Sequence, residues 1–437
     1  MKRRLTSFDG TESFEAECVR PDRYRQLFAE LSSPRLLIPR GAGLTYCAAS
    51  AGENVVSVDA RSFNRILEFD PTVGYVTVEA GITLGDLYRF TTPRNWILPV
   101  MPGSPSITVG GCIAPNIHGK NQFKDGNFRA VTDELRLFHP DHGEIVCSPR
   151  ERPDVFNLTV GGYGLTGFIL SARLRLQRLE HSAFRLRRLK VRSLSEAAEM
   201  MKDLANKVQV LYSWHDLNGS EFGRGFVYAG DPIESEGNNH ELRYQELDAE
   251  TRGRWRFPMF GRLSTRSSLA AYALSQRWAG EEETLTLAQA FFPPVGKEFY
   301  FKLFGRPGLR EYQVLIPHDE WPTAVERLKQ LIVSHSVPIT LASLKIFRGR
   351  GALIDFEGDG VCLTLDAPEG RNTRELFADL DRWTEHAGGI VNISKDSRLQ
   401  GSFLERIFPE FDRFRQQLTV FDPNRRFDSA LRKRLDV

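Results

Sequence analysis

The sequence predicts an α+β protein with more than one domain, on three observations. Its 437 residues exceed what one core usually serves, at about 150 residues per domain. The first 180 residues are dense in short, β-branched runs punctuated by Gly and Pro. Past residue 180 alternating strands are interleaved with amphipathic helices, the order of a sheet with helices on one face.

Residues 36–39 are a short apolar run ending in the glycine-rich turn 40–46. Residues 54–60 (NVVSVDA) and 75–79 (YVTVE) read as strands, the second closed by Ala80 and Gly81. Residues 83–90 predict a helix with Leu84, Leu87 and Phe90 on one face. Residues 101–111 are a Pro, Gly and Ser-rich loop, and 154–160 lead into the glycine turn 161–167. A strand follows from Phe168, and 172–179 alternate apolar with basic residues. Residues 184–191 alternate again, and 194–207 predict a helix faced by Ala197, Met200, Met201 and Leu204. Residues 232–254 are polar and charged, which predicts a surface loop. Helices are predicted over 319–334 and 372–386, and strands over 313–316, 343–347 and 361–366. Residues 403–435 carry a helical pattern with a turn at Asp422, Pro423 and Asn424.

Charge excludes one broad class. With 58 basic and 56 acidic residues the net charge is +2, so bulk charge does not make this a polyanion binder, and no nucleic-acid partner is expected. No apolar run approaches the ~18 residues of a membrane span. The first ten residues are basic without a following apolar stretch, so no ordinary secretory signal is expected. The five cysteines are scattered with no C-x-x-C, which argues against a disulfide framework or zinc site and for a reducing compartment. The nine histidines include no H-E-x-x-H, and no metal is expected. The expected location is cytoplasmic or peripheral to a membrane.

A glycine turn exposes successive backbone N–H groups that can hold phosphate oxygens, or it serves turn geometry alone. A Rossmann fingerprint fails at both candidates. Gly41-Ala-Gly43 has Tyr46 where the third glycine belongs, and the G-x-G-x-x-G at Gly162–Gly167 precedes its strand instead of following one. Three loops nevertheless stand in order: 40–46, then Pro102-Gly-Ser104 with Thr108-Val-Gly-Gly111, then 161–167, with Asn116-Ile-His-Gly-Lys-Asn121 between.

That order, with the Val78-Glu-Ala-Gly81 step, resembles the FAD-binding fold of the vanillyl-alcohol oxidase superfamily (the PCMH type) over residues 1–180. Further motifs, Ile117-His-Gly-Lys-Asn121, Glu311-Tyr-Gln313, Leu344-Lys-Ile-Phe347 and Ser394-Lys-Asp-Ser-Arg398, are similar to its decaprenylphosphoryl-β-D-ribose oxidase family. The likeness spans nearly the whole chain and weakens over about 215–300. It implies a two-part FAD-binding domain, 1–180 and 391–437, interrupted by a substrate domain over 181–390 made of an antiparallel sheet and helices.

The resemblance also implies residue roles. Around FAD it places Pro39, Arg40, Gly41, Ala42, Gly43, Leu44 and Thr45, then Tyr46, Cys47, Ala48 and Ala49. It adds Gly103, Thr108, Val109, Gly110 and Gly111, then His118, Gly119, Lys120, Asn121, Ile169 and Asn392. It lines a substrate pocket with Tyr46, Lys120, Gln313, Lys345, Cys362 and Lys395. Relatives that tether FAD covalently use a His where this chain has Leu44, so non-covalent FAD is expected. Three positions depart from the family: Asn392 stands for a Tyr, Gly360 for an Asn and Cys47 for a Gly.

The implied chemistry is FAD-dependent oxidation of a sugar secondary alcohol to a ketone, at the 2′ hydroxyl of a polyprenylphosphoryl-β-D-ribose, for an arabinose-lipid donor of the cell wall. Lys395 is the expected base, which requires desolvation or neighbouring cations to lower its pKa. Lys120 and Lys345 would be those cations, or would hold a phosphate, and His118 would touch the flavin. The plainer readings are a solvated Lys395, a snorkelling Lys345, a structural His118 and a buried filler at Cys362. A soluble sugar, alditol or aldonolactone oxidase is the alternative enzyme, and a non-catalytic flavin scaffold the alternative of another class. The implied partners are the lipid-linked phosphosugar and an NAD(P)H-dependent short-chain reductase. Residues 252–266 combine Arg252, Arg254, Arg256, Arg262 and Arg266 with Trp255, Phe257, Met259 and Phe260 and no acid, which suits peripheral contact with an anionic membrane.

Overall fold

The computed structural model describes residues 2–234, 240–247 and 257–437. It is a mixed helix and sheet protein with four sheets of four or five strands. In the first, Lys2–Thr6 and Ser13–Val19 form an antiparallel pair, which Val56–Asp59 and Leu37–Arg40 extend in parallel. Helix Tyr24–Leu31 buries Leu27 and Leu31 against Leu37, Val56 and Val58. The second sheet is antiparallel, in the order Ile66–Asp70, Tyr75–Glu79, Phe168–Arg175, Thr132–His139, Gly143–Cys147. Phe168 and Leu170 join the first sheet's core, so the two sheets are fixed to each other.

The loops between these strands are held by caps. Thr83 caps helix Leu84–Thr91 by accepting from the Asp86 N–H, and Thr108 caps the short helix Val109–Ile113 by accepting from the Gly111 N–H. Each hydroxyl satisfies a helix N–H that would otherwise lack a partner.

The third sheet runs Val210–His215, Gly225–Ile233, Ala183–Val191, Glu282–Thr286. The fourth runs Leu341–Phe347, Gly360–Pro368, Leu309–Ile316, Ile390–Val391, and both are antiparallel throughout. Where the two meet, the Ser213 hydroxyl accepts from the Leu344 N–H at 2.8 Å, a side chain standing in for a ladder bond. Helices Leu194–Leu204, Trp321–His335 and Arg371–His386 cover one face through Met201, Leu328, Ile332, Leu376, Phe377 and Leu380. Tyr312, Val314, Ala342, Leu344, Ile346, Leu363 and Leu365 point into that core. Because side chains alternate across a strand, Glu311, Gln313, Lys345, Cys362, Thr364 and Asp366 occupy the opposite face. This period-two split positions the site.

The chain's last segment lies on the first sheet. The Leu37 N–H donates to the Arg426 carbonyl and the Asp428 N–H to that of Leu37, at 3.0 and 2.9 Å. Arg432, 2 % exposed, pairs with the fully buried Asp422 at 2.8 Å.

The structure adds detail to three expectations. Residues 403–435 break at the expected turn around Pro423 and also at Pro409, giving three helices, Gly401–Ile407, Phe411–Phe421 and Ala430–Leu435. Of the surface loop expected over 232–254, residues 232 and 233 end the strand Gly225–Ile233, and 240–247 are irregular with Glu241, Arg243, Gln245 and Glu246 exposed, anchored by buried Leu242 and by the Leu247 N–H, which donates to Ser106 Oγ at 2.9 Å. The end of the basic aromatic stretch, 262–266, opens the helix Arg262–Trp278, while Arg252, Arg254, Trp255 and Arg256 lie outside the described residues.

Candidate active site

A cavity of about 1900 Å³, including the solvent at its mouth, lies between the first two sheets and the free face of the fourth. One wall is made of the loops seen in the sequence. Pro39, Arg40, Gly41, Ala42, Gly43, Leu44, Thr45, Tyr46 and Ala49 line it, with Gly103, Thr108, Gly110, Gly111, Gly164, Gly167 and Ile169.

Two glycines show why the first loop is built so. A Cβ at Gly41 would sit 2.3 Å from Thr108 Oγ1, the cap of the next loop. Gly43 has φ +70, and a Cβ there would sit 2.1 Å from the Arg40 guanidinium, which is folded beneath the turn and donates to Ser50 Oγ. Thus Gly41 leaves room for the Thr108 side chain and Gly43 for the Arg40 guanidinium, and the two loops meet closely at the cavity wall. That is the surface an extended pyrophosphate and ribityl chain needs, and it fits FAD.

The other end of the cavity is polar and basic. His118, Gln313, Lys345, Asn392, Ser394 and Lys395 line it. His118 Nδ1 is 3.0 Å from the Gly119 carbonyl and Nε2 is 3.4 Å from Gln313 Oε1. The Lys345 ammonium approaches His118 Nδ1 at 3.5 Å. Burial, then the Lys345 charge, hold the imidazole well below its usual pKa, so the ring is neutral. Burial also lowers the Lys345 pKa, with the Lys395 charge acting the same way and Cys362 and Glu311 opposing. Gln313 is fixed on both sides: it accepts from Asn392 Nδ2 at 2.5 Å and donates to Thr364 Oγ1 at 2.8 Å. Lys395 sits 4.4 Å above the Tyr46 ring and pairs with Glu311 Oε1 at 3.2 Å.

Seven residues assigned by resemblance do not line this cavity. Cys47 is fully buried in the core, its thiol pushed up to about 12 by burial. Ala48 turns away at φ 49, and Val109 is buried in its own short helix. Gly119 is packed against Met101 and the Asn121 side chain, whose amide donates to the Pro99 carbonyl. Lys120 points beneath the neighbouring segment and donates to the Phe291 carbonyl at 2.7 Å. Burial, then the Lys345 charge, lower its pKa to about 7. Cys362 is opposite Lys345 in the ladder but packs with Leu315, Phe347 and Phe356, its thiol also raised by burial to about 12.

Sequence reading missed the rest of the lining. Phe8, Gln245, Leu247, Pro294, Val295, Glu298 and Phe301 are part of it. Apart from Phe301, in the one-turn helix Phe299–Lys302, they come from irregular segments with no periodic signal. It also missed a role for Glu311, visible only once the ladder sets it beside Asp366 and Lys395.

Residues 31–148 match the family profile described as FAD binding domain. The chain is 26% identical over 423 residues to Decaprenylphosphoryl-beta-D-ribose oxidase of Mycolicibacterium smegmatis, covering 92% of this chain and 90% of that one. An uncharacterized protein of Streptomyces coelicolor is 27% identical over 380 residues, 82% of this chain and 100% of its own. The human Delta(24)-sterol reductase is 32% identical over 111 residues, 25% of this chain and 22% of its own. The cofactor is FAD, and the chain is an oxidoreductase resembling the ribose oxidase along most of its length.

Proposed function

We propose that this FAD-dependent oxidoreductase oxidises a secondary alcohol of a lipid-linked phosphosugar to a ketone, the 2′ hydroxyl of a polyprenylphosphoryl-β-D-ribose being the specific reading. The observation that carries it is the pair Lys345 and Lys395 at one end of a cavity whose other wall is glycine loops. When bound, FAD supplies the two-electron acceptor, and the protein supplies position and charge. Lys395 orients the hydroxyl and stabilises the oxygen as its proton leaves. Lys345 is a second point charge for that oxygen or for the substrate phosphate. Gln313 and Asn392, locked to each other, offer polar contacts to the remaining hydroxyls. The residues over 181–390 act in this reading as the substrate domain, with 391–437 completing the FAD-binding part. The ketone formed requires reduction to yield an epimer, which makes an NAD(P)H-dependent short-chain reductase the expected partner.

Two family departures bear on the sugar. At Gly360 a Cβ would lie 2.2 Å from the Ile316 carbonyl oxygen, so this strand offers no side chain where relatives carry Asn. Asn392 is shorter than the Tyr it replaces and is engaged with Gln313.

A membrane-borne tail fits the surface of helix Arg262–Trp278. Its inner side buries Thr265 and Leu269, while Leu263 and Trp278 are each 80% exposed on the outer side. The helix carries Arg262, Arg266 and Arg277 and no acidic residue. Exposed Phe257 and Met259 precede it, the latter bonded through its N–H to the Leu303 carbonyl beside the cavity's rim segment. Such a basic helix with an outward apolar stripe suits anionic headgroups. Flotation with phosphatidylglycerol vesicles tests it, association with them but not with neutral vesicles being the expected result.

The functional test is anaerobic mixing of the FAD-loaded protein with a short-chain prenylphosphoryl-β-D-ribose, with free ribose and with alditols. Bleaching of the flavin by the first alone supports the reading. Bleaching by alditols alone gives the soluble-oxidase alternative, and bleaching by none leaves a flavin scaffold.

A further inference from the structure

The ladder of the fourth sheet sets two carboxyls side by side. Glu311 and Asp366 are directly opposite on adjacent antiparallel strands, 6% and 2% exposed. Opposed residues hold their Cβ atoms about 5 Å apart. Their surroundings hold less positive charge than two carboxylates require. Glu311 has Lys395 at 3.2 Å, and Asp366 Oδ2 accepts from the Tyr300 hydroxyl at 2.9 Å. Tyr300 also touches Thr340 Oγ1 at 2.8 Å. Asp366 Oδ1 is buried with no donor among the described residues. A buried oxygen without a donor costs about 1–3 kcal/mol, and two adjacent anions cannot both ionise there cheaply.

We propose that Glu311 and Asp366 share a single proton and that this pair, through Lys395, is the final acceptor of the substrate's hydroxyl proton. This rests on the alcohol-oxidation reading above. The carbinol carbon loses a hydride, with both electrons, to FAD, and its C–O bond becomes C=O. The hydroxyl proton passes to Lys395 Nζ as one Nζ proton passes to Glu311, so Lys395 remains an ammonium and the pair gains one proton. Lys395 touches the substrate; Glu311 and Asp366 act through it and are positioning residues. The assignment gives the Glu311 carboxylate, paired with Lys395 at 3.2 Å, a part in the proton transfer. Burial, then the Glu311 charge, raise the Asp366 carboxyl well above its ordinary range. The other titratable groups facing the pair are Tyr300, Lys345, Cys362 and Lys395.

Two readouts test this in the full-length, FAD-loaded protein. The first needs no substrate. At pH 7 the infrared spectrum is expected to show a carboxylic-acid C=O band that shifts in D2O, vanishes in Asp366→Asn and moves but persists in Tyr300→Phe. Its absence from the wild type, or its survival unchanged in Asp366→Asn, would overturn the shared proton. The second is the anaerobic rate of flavin reduction by the short-chain prenylphosphoryl-β-D-ribose as a function of pH. Glu311→Gln is expected to lower that rate by about 100-fold or more with FAD content unchanged. Asp366→Asn is expected to move the acid limb of the profile about one unit to higher pH, since the shared proton that stabilises the pair's single negative charge is then gone. An unmoved profile in Asp366→Asn would overturn the relay and leave the pair structural. If this compound reduces no flavin even in the wild type, the substrate reading fails, and the infrared band still decides the pair.

Discussion

Gly41→Ala tests whether the first two loops converge on the cofactor. The new Cβ would lie 2.3 Å from Thr108 Oγ1 and 3.3 Å from Thr108 Cβ. The gap to the oxygen must open to at least 3.0 Å. Thr108 cannot simply rotate without cost, because that oxygen accepts from the Gly111 N–H at 3.1 Å and caps the second loop's helix. A lost cap costs about 1 kcal/mol, and overpacking costs about 1–3 kcal/mol. If FAD holds the loops at their native separation, the strain falls on the bound state. Affinity then drops about 5- to 150-fold. The assay is titration of the apoprotein with FAD, followed by quenching of flavin fluorescence, with thermal melts as the control for folding. The double variant Gly41→Ala, Thr108→Ala removes the colliding oxygen and is expected to recover most of the affinity while melting slightly lower. Wild-type FAD affinity in the single variant, or no recovery in the double one, would refute the convergence of these loops on the cofactor.

Lys395→Ala is expected to keep FAD and to lower the anaerobic rate of flavin reduction by about 10²- to 10⁴-fold; an unchanged rate would remove Lys395 from the chemistry. Lys120 gives a pH signature in the apoprotein. Its folded pKa is lowered to about 7, so above that pH the unfolded chain binds a proton that the folded chain has shed. Wild-type stability relative to Lys120→Met should therefore rise with pH, by about 1.4 kcal/mol per unit between pH 7 and 10, in denaturant titrations. Asp422→Asn should destabilise the protein by about 3–5 kcal/mol, since it leaves buried Arg432 without its carboxylate. Burial alone would raise the Asp422 pKa, but hydrogen bonds from His139, Arg426 and Arg432 outweigh it and hold the group at about 2. The wild type should accordingly lose this contribution only as pH falls from about 4 to 2, and Asp422→Asn should show a flatter acid limb.

Much of the helix and strand content was legible because the residues obey one period at a time. The helix expected over 194–207 is Leu194–Leu204, and the one over 372–386 is Arg371–His386, each with its apolar stripe on the sheet. Lys345 in LASLKIF stood out as a cation on an apolar strand, because five of the other six residues in that run are apolar. The hairpin of Lys2–Thr6 and Ser13–Val19 was not legible: its exposed edge is charged and lacks clean alternation. The glycine loops were readable as loops, and their order carried the resemblance. Which of their residues face the cavity was not, since Lys120 and Cys362 differ from Lys345 only in what packs over them. The Glu311 and Asp366 pair is 55 positions apart, and only strand register brings it together. Lys395 looked equally like a surface charge until Glu311 and Tyr46 were placed beside it.

The most direct measurement is the visible spectrum of the purified, folded chain, followed by acid precipitation and quantitation of flavin in the supernatant. Close to one FAD per chain, all of it released, is the predicted result, since Leu44 offers no tether. A colourless protein that takes up no added FAD would contradict the account at its base, and colour retained in the pellet would contradict the non-covalent site.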